Sequence, residues 1–129
     1  MKKKRNGFIT IYLYVVIIVC VFEGFSIIRR AYAEMDFDKS MQTITIIIGG
    51  LLLIHAIGAS LLLTWKKLGY WLIVVNPIGS LLVACYLHYF MGISTYIGPA
   101  LYSLFIIPLL NFGILQIRKD GISCWRLLE

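Results

Sequence analysis

Four long apolar segments restrict the folds open to this chain more than any other feature of its sequence. They span residues 8–28, 44–65, 68–91 and 93–117. Each is longer than the ~18 apolar residues that indicate a transmembrane helix. Barrel strands would alternate apolar and polar residues, whereas residues 46–48 are three consecutive isoleucines. The segments therefore predict an all-α membrane protein, because helices satisfy their own backbone groups in hydrocarbon.

The composition supports one transmembrane domain over residues 1–129. Hydrophobic residues make up 60% of the chain and charged residues 14%, whereas a soluble domain has about 45–50% and about 25%. The mean hydropathy is +0.90. These values exclude disorder and disfavour a water-soluble fold. Four spans of ~20 residues use most of the chain, so we expect no second domain.

The uneven distribution of the 12 Lys and Arg residues predicts the orientation of the chain. Nine of them precede the first segment, join the second to the third, or follow the fourth, and three lie in residues 29–40. Cytoplasmic loops are enriched in Lys and Arg. We therefore predict a four-transmembrane-helix antiparallel bundle with both termini cytoplasmic and residues 29–40 as an outer loop. The net charge of +6 then reflects orientation and attraction to anionic lipid headgroups, and we expect no nucleic-acid partner.

The first segment has features both of a cleaved signal and of a retained helix. Residues 2–5 are basic, and residues 31–33 read Ala-Tyr-Ala, as at a signal cleavage site. However, the apolar core of a signal has about 7–15 residues, and this segment has 21. Arg29 and Arg30 also stand just before the cleavage position, where positive charge is disfavoured. We predict a retained helix.

Basic and aromatic residues next to the spans predict membrane anchors on the cytoplasmic side. These anchors are Trp65, Lys66, Lys67, Arg118, Lys119 and Trp125. Residues 118–129 combine a basic start, a glycine and several apolar side chains. We predict that this tail lies at the membrane interface.

Three short motifs beside the predicted spans carry a family resemblance. They are Gly7-Phe8-Ile9-Thr10, Trp65-Lys66-Lys67-Leu68-Gly69-Tyr70 and Lys119-Asp120-Gly121-Ile122-Ser123-Cys124-Trp125. In these motifs the chain resembles a group of small, uncharacterised bacterial four-helix integral membrane proteins. The resemblance covers the whole length and implies the same topology, but it implies no activity. On this basis we expect the protein in a bacterial cytoplasmic (inner) membrane.

Polar residues inside the predicted spans are the candidates for an intramembrane polar or ion site. They are Glu23, His55, Asn76, His88 and Asn111. Glu23 is the only Asp, Glu, Lys or Arg in the spans, and such residues mark functional sites because burying their charge is costly. It is either a proton- or cation-binding carboxylate or a structural residue that pairs with Arg29 or Arg30 or reaches the outer interface. If the first and third helices pack together, Glu23 and His88 meet.

The remaining polar residues allow a functional and a structural interpretation. His55 is either an ion-handling group or a packing residue that hydrogen bonds to a neighbouring helix. His88 lies where an aromatic belt is expected. Asn76 beside Pro77 is typical either of a broken-helix binding site or of a kinked helix whose freed carbonyl is satisfied elsewhere.

Small residues recur along three of the segments. The second carries Thr45, Gly49, Ala56 and Ser60; the third carries Asn76, Gly79, Ser80 and Ala84; the fourth carries Pro99, Ala100, Ser103 and Asn111. Small side chains let helix backbones approach closely, so we predict a helix-packing face that includes Gly49, Ala56 and Ser60. The alternative is that the small residues line a water-filled path.

The sequence contains no pattern that indicates catalysis. Cys20, Cys85 and Cys124 lack metal-binding or redox spacing, and the nucleotide-binding, HExxH and GxSxG motifs do not occur. We therefore expect no enzyme, no metal and no cofactor.

The expected function is that of a non-enzymatic helix-packing or accessory module. Its partners would be the lipid bilayer and either further copies of itself or a larger membrane protein. One alternative is a small proton- or cation-coupled transporter or pore that uses Glu23 and His55. A further alternative is a membrane-disrupting lysis or defence effector.

Overall fold

Four long helices follow one another in the computed structural model, which describes residues 5–33, 38–119 and 121–129. They are α1 (Gly7–Ala33), α2 (Lys39–Leu63), α3 (Leu68–Met91) and α4 (Ile97–Leu115). All four are long and apolar enough to cross a membrane. The prediction of an all-helical chain with four span-length apolar helices is therefore confirmed.

The helices α1 and α2 extend into the predicted loop of residues 29–40. Helix α1 continues to Ala33, and α2 begins at Lys39, because the Asp38 carboxylate caps α2 by accepting the Met41 N–H at 2.8 Å. Charged residues end an apolar segment without ending a helix, so hydropathy alone underestimates helix length. Residues 34–37 of that loop lie outside the described residues.

Consecutive helices pack against each other, α1 on α2, α2 on α3 and α3 on α4. The main core cluster lies at the end of the bundle where α1 and α3 begin and where α2 and α4 end. It consists of Ile9, Leu13, Ala59, Leu62, Tyr70, Ile73, Leu115, Cys124 and Leu128. The described residues near both termini therefore share one core with the α2–α3 turn.

The α2–α3 turn contains a strained tryptophan. Trp65 has φ of 66°, in the left-handed region that costs a non-glycine residue about 1–2 kcal/mol. The Trp65 N–H donates to Leu62 O at 3.1 Å, and the Lys66 N–H donates to Leu61 O at 2.9 Å. These two bonds form a Schellman motif, which needs a left-handed residue at this position.

The chain after α4 turns back onto this end of the bundle. Strand β1 (Arg118–Lys119) pairs antiparallel with β2 (Ile122–Ser123), and Gly121 in the connection has φ of 78°. A short helix, α5 (Cys124–Leu127), follows. The tail that we predicted at the membrane interface thus contacts the protein itself, with Cys124 3% and Leu128 5% exposed.

Candidate functional site

Two predicted site residues, His55 on α2 and Asn76 on α3, form a buried pair. Asn76 Nδ2 lies 3.0 Å from His55 Nδ1. An amide nitrogen donates, so Nδ1 accepts and the proton of the neutral ring lies on Nε2. The Asn76 backbone carbonyl accepts the Ser80 hydroxyl at 2.9 Å. This hydrogen bond joins α2 to α3 through two buried side chains.

A third predicted residue, Asn111, joins α4 to α1. Its Oδ1 accepts the Tyr12 hydroxyl at 3.0 Å, and its Nδ2 donates to Ile107 O at 2.8 Å. Nearby, the Tyr70 hydroxyl of α3 donates to Pro108 O at 3.2 Å. Sequence reasoning did not assign a role to either tyrosine hydroxyl, although a phenol inside an apolar helix needs a partner once it is buried.

The fourth residue, Glu23, lies on the outer surface of α1. Its side chain is exposed, and it forms no hydrogen bond or ion pair with any described residue, Arg29 and Arg30 included. It lies five residues before the end of the apolar segment, about 7–8 Å inside that boundary at ~1.5 Å per residue. Its neighbours Val19 and Phe22 are 52% and 69% exposed. Glu23 is thus a carboxylate on an apolar surface.

The fifth residue, His88, is exposed on α3 and forms an edge-to-face contact with Tyr89, with ring centroids 5.2 Å apart. Helices α1 and α3 each pack mainly on α2, and no hydrogen bond or ion pair joins His88 to Glu23 among the described residues. Within the described residues, no group of three or more His, Cys, Asp or Glu is arranged to hold a metal. The five predicted polar residues are therefore distributed over several places and do not form one site.

Glycines rather than hydroxyls form the closest helix contacts. Gly49 of α2 faces Gly24 of α1, where an added Cβ on Gly49 would lie 2.9 Å from Gly24 O. Gly58 of α2 faces Gly69 of α3, where an added Cβ on Gly58 would lie 2.6 Å from Gly69 O. Of the four, the predicted packing face included only Gly49.

The other two residues of the predicted packing face lie on α2 near these contacts. Ala56 is buried, at 4% exposure. The half-buried Ser60 donates its hydroxyl to Ala56 O within its own helix, at 2.9 Å. Both residues contribute to packing through their small size, and neither forms a hydrogen bond to another helix among the described residues.

Several of the small residues line an open cleft between α2, α3 and α4, in the half of the bundle that lies away from the termini. The cleft has a volume of about 470 Å³ and is lined in part by Thr45, Ser80, Ala84, Pro99, Ala100 and Ser103. The hydroxyls of Thr45, Ser80 and Ser103 donate to carbonyls of their own helices at 2.8–2.9 Å. They therefore do not hydrogen bond one helix to another.

The α2–α3 turn is held by residues from both ends of the chain. Arg5 Nη2 donates to Leu62 O at 2.5 Å, and its guanidinium lies 4.1 Å from the centroid of the Trp65 ring. The Glu129 N–H donates to Trp65 O at 2.7 Å, and the Lys67 N–H donates to Glu129 O at 2.5 Å. These contacts explain how the left-handed Trp65 is stabilised.

The predicted anchors Lys66, Lys67 and Trp125 make contacts at this end. Lys66 Nζ lies 3.6 Å from Glu129 Oε2, with both side chains more than half exposed, so this ion pair contributes little. Lys67 Nζ lies 5.4 Å from the centroid of the Trp125 ring. The side chains of Arg118 and Lys119 lie outside the described residues.

Cys124 is the buried thiol of this end. Burial raises the pKa of the Cys124 thiol above its ordinary value, and the Arg5 guanidinium, which hydrogen bonds to the sulfur, lowers it by less. The thiol is therefore protonated at neutral pH and a poor nucleophile. Its role is that of a small apolar side chain in the core.

The predicted polar residues are of two kinds: some form buried pairs between helices, and others lie singly on the surface. His55 with Asn76 and Asn111 with Tyr12 belong to the first kind, and Glu23 belongs to the second. Comparison of the chain with protein-family models, curated proteins and solved structures found no match.

Proposed function

We propose that this protein is a non-enzymatic membrane module that binds a larger membrane protein through the exposed face of α1. The observation that carries this proposal is the exposed carboxylate of Glu23, which has no partner among the described residues. An ionised carboxylate facing hydrocarbon costs several kcal/mol. A neighbouring helix that brings a basic or amide side chain to Glu23 removes this cost and supplies a specific contact.

The surface around Glu23 fits a helix of another protein. Val19 and Phe22 are exposed, and a shallow groove along α1 includes Phe22, Ser26 and Arg29. Apolar side chains next to one buried polar contact are typical of helix association in membranes, where packing and single hydrogen bonds provide the stability.

Charge favours a different protein over a second copy as the partner. Two copies with the same orientation, related by an axis along the membrane normal, would place identical residues at the same depth. A symmetric contact through this face would bring Glu23 close to Glu23, and two like charges repel. A partner helix with Lys, Arg, His, Asn or Gln at this depth has no such penalty.

The buried polar residues support a packing role rather than ion transport. The transporter or pore alternative relies on Glu23 and His55 acting together. His55 is buried against Asn76 between α2 and α3, whereas Glu23 is exposed on α1. No described polar side chain connects the two in a hydrogen-bonded chain, so the geometry offers no specific support for a relay.

We further propose that the protein lies in a bacterial cytoplasmic membrane with both termini inside, which the distribution of Lys and Arg supports. Alkaline phosphatase, which is active only outside the cytoplasm, is expected to be inactive when fused after Glu129. Inserted into residues 29–40, it is expected to be active. The opposite pattern of activity would overturn the orientation.

The partner interface is tested by photocrosslinking in cells of the source organism. A photoreactive phenylalanine analogue at Phe22, next to Glu23, is expected to give one discrete adduct with a membrane protein. In a Glu23→Leu background the yield is expected to fall about tenfold, since one interhelical hydrogen bond contributes about 1–2 kcal/mol in membranes. The crosslinked peptide is expected to be a transmembrane segment with a basic or amide residue.

The matched control places the same analogue at Phe105 of α4, which is 65% exposed and distant in sequence from Glu23. No Glu23-dependent adduct is expected there. Glu23→Leu is expected to leave thermal unfolding in detergent unchanged, because the carboxylate has no described partner. An adduct between two copies of this chain, or an equal yield with Glu23→Leu, would overturn the proposal.

A further inference from the structure

A second cleft, between α2 and α3, has the chemical character of a lipid-binding groove. Its volume is about 600 Å³, and its lining residues come from the half of the two helices that lies away from the termini. Aliphatic side chains from both helices form its floor, among them Ile47, Leu51 and Leu82. Gly79 lies in the groove, and a Cβ there would come within 2.6 Å of Leu51 Cδ2. The absence of a side chain at Gly79 lets Leu51 lie against α3.

The polar groups of this groove are concentrated at one end. Lys39, Ser40 and Thr43 line it at the start of α2. Among the residues that the structure describes, Lys39 is the only charged one in the lining, and no Asp or Glu belongs to it. The neighbouring Asp38 directs its carboxylate to the Met41 N–H, and the Thr43 hydroxyl donates to Lys39 O at 2.8 Å. The groove thus combines an apolar floor with one positive end.

The position of Lys39 matches the boundary of the predicted span. Lys39 precedes the apolar segment of residues 44–65 by five residues, which is about 7–8 Å along a helix at ~1.5 Å per residue. A basic residue just outside the hydrocarbon lies at the depth of the lipid phosphates. The aliphatic floor below it lies at the depth of the acyl chains.

We propose that this groove binds one phospholipid, with an acyl chain along the aliphatic floor and the phosphate at Lys39 and the Ser40 hydroxyl. The complementarity of charge favours a lipid, because every phospholipid brings an anionic phosphate to Lys39 together with acyl chains for the aliphatic floor. The described lining of the cleft between α2, α3 and α4 contains no Lys, Arg, Asp or Glu, so the same headgroup preference is not expected there. This inference is independent of the partner proposed for α1.

The test compares the purified protein in nanodiscs of phosphatidylcholine alone and of phosphatidylcholine mixed with phosphatidylglycerol. Native mass spectrometry is expected to show one retained phosphatidylglycerol per chain, and thermal unfolding is expected at a higher temperature in the mixed nanodiscs. For Lys39→Gln, the concentration of phosphatidylglycerol at half-saturation is expected to rise about fivefold. Each basic residue near the membrane surface strengthens the binding of anionic lipid by about that factor.

Two matched pairs of variants separate this groove from general membrane effects. Arg30→Gln removes a positive charge from an exposed residue that does not line the groove, and it is expected to bind lipid like the wild type. Ile47→Trp fills the groove and is expected to abolish retention, whereas Ile57→Trp, at an exposed position outside it, is expected to have no effect. Equal lipid retention by Lys39→Gln and wild type, or by Ile47→Trp and Ile57→Trp, would overturn the proposal.

Discussion

Replacing Gly58 with alanine is expected to lower the free energy of unfolding by about 1–3 kcal/mol, although the change adds only one methyl group. The new Cβ would lie 2.6 Å from Gly69 O and 3.1 Å from Ile73 N. Both are backbone atoms of α3, so the clash cannot be relieved by a side-chain rotation. The two helices must move apart, and this movement also disturbs the nearby His55–Asn76 hydrogen bond.

The control for this prediction is Gly50→Ala on the same helix. Apart from its own stretch of helix, no atom lies within 4 Å of a Cβ at Gly50, and alanine stabilises a helix by roughly 0.5–1 kcal/mol relative to glycine. Unfolding of both variants in mixed micelles, followed by circular dichroism, measures the difference. The two substitutions are expected to change stability in opposite directions, and a similar effect of both would contradict the close contact of α2 with α3.

Replacing Trp125 with alanine is expected to lower the free energy of unfolding by about 3 kcal/mol, the lower end of the range for tryptophan in a core. Its ring lies 5.2 Å from the Tyr70 centroid and 5.1 Å from the Phe112 centroid, with edge-to-face geometry in both pairs. It also lies under the Lys67 ammonium. Removing the ring detaches the tail from α3 and α4 and leaves part of the core open.

Trp71→Ala is the matched control, since Trp71 lies on α3 beside Tyr70 but is 59% exposed. Trp71→Ala is expected to lower the free energy of unfolding much less than Trp125→Ala does, in the same measurement. Alkylation of Cys124 by a membrane-permeant maleimide provides a second readout. The buried thiol is expected to react slowly in wild type and Trp71→Ala and faster in Trp125→Ala. Slow alkylation of Cys124 in all three proteins would show that Trp125 does not hold the tail in place.

The sequence was sufficient to predict the four helices because hydropathy is a local property. It was also sufficient, in principle, to pair His55 with Asn76. These residues lie at similar distances on either side of the tight α2–α3 turn, and antiparallel helices place such residues opposite each other. The close approach of Gly58 and Gly69 does not follow from this symmetry, because the two glycines lie seven and four residues from Trp65. Neither contact is apparent when each helix face is considered separately.

Other features depend on contacts that no local pattern specifies. The hydrogen bond between Tyr12 and Asn111 joins residues 99 positions apart, so it requires knowledge of how α4 returns to α1. The tail was predicted from its apolar residues to lie at the interface, but the same residues also suit a protein core. Only the docking of Cys124 and Leu128 on the α2–α3 turn distinguishes the two environments.

The two contacts that hold the left-handed Trp65 become available at different times during synthesis. Arg5 precedes the turn and has already left the ribosome when Trp65 emerges, whereas Glu129 follows only after α4 is complete. Because chains fold from the N-terminus as they are made, the turn first exists with the Arg5 contact alone. A nascent chain made up to α3 therefore holds Trp65 through Arg5 alone, and the α2–α3 turn gains its second contact only when Glu129 has been added.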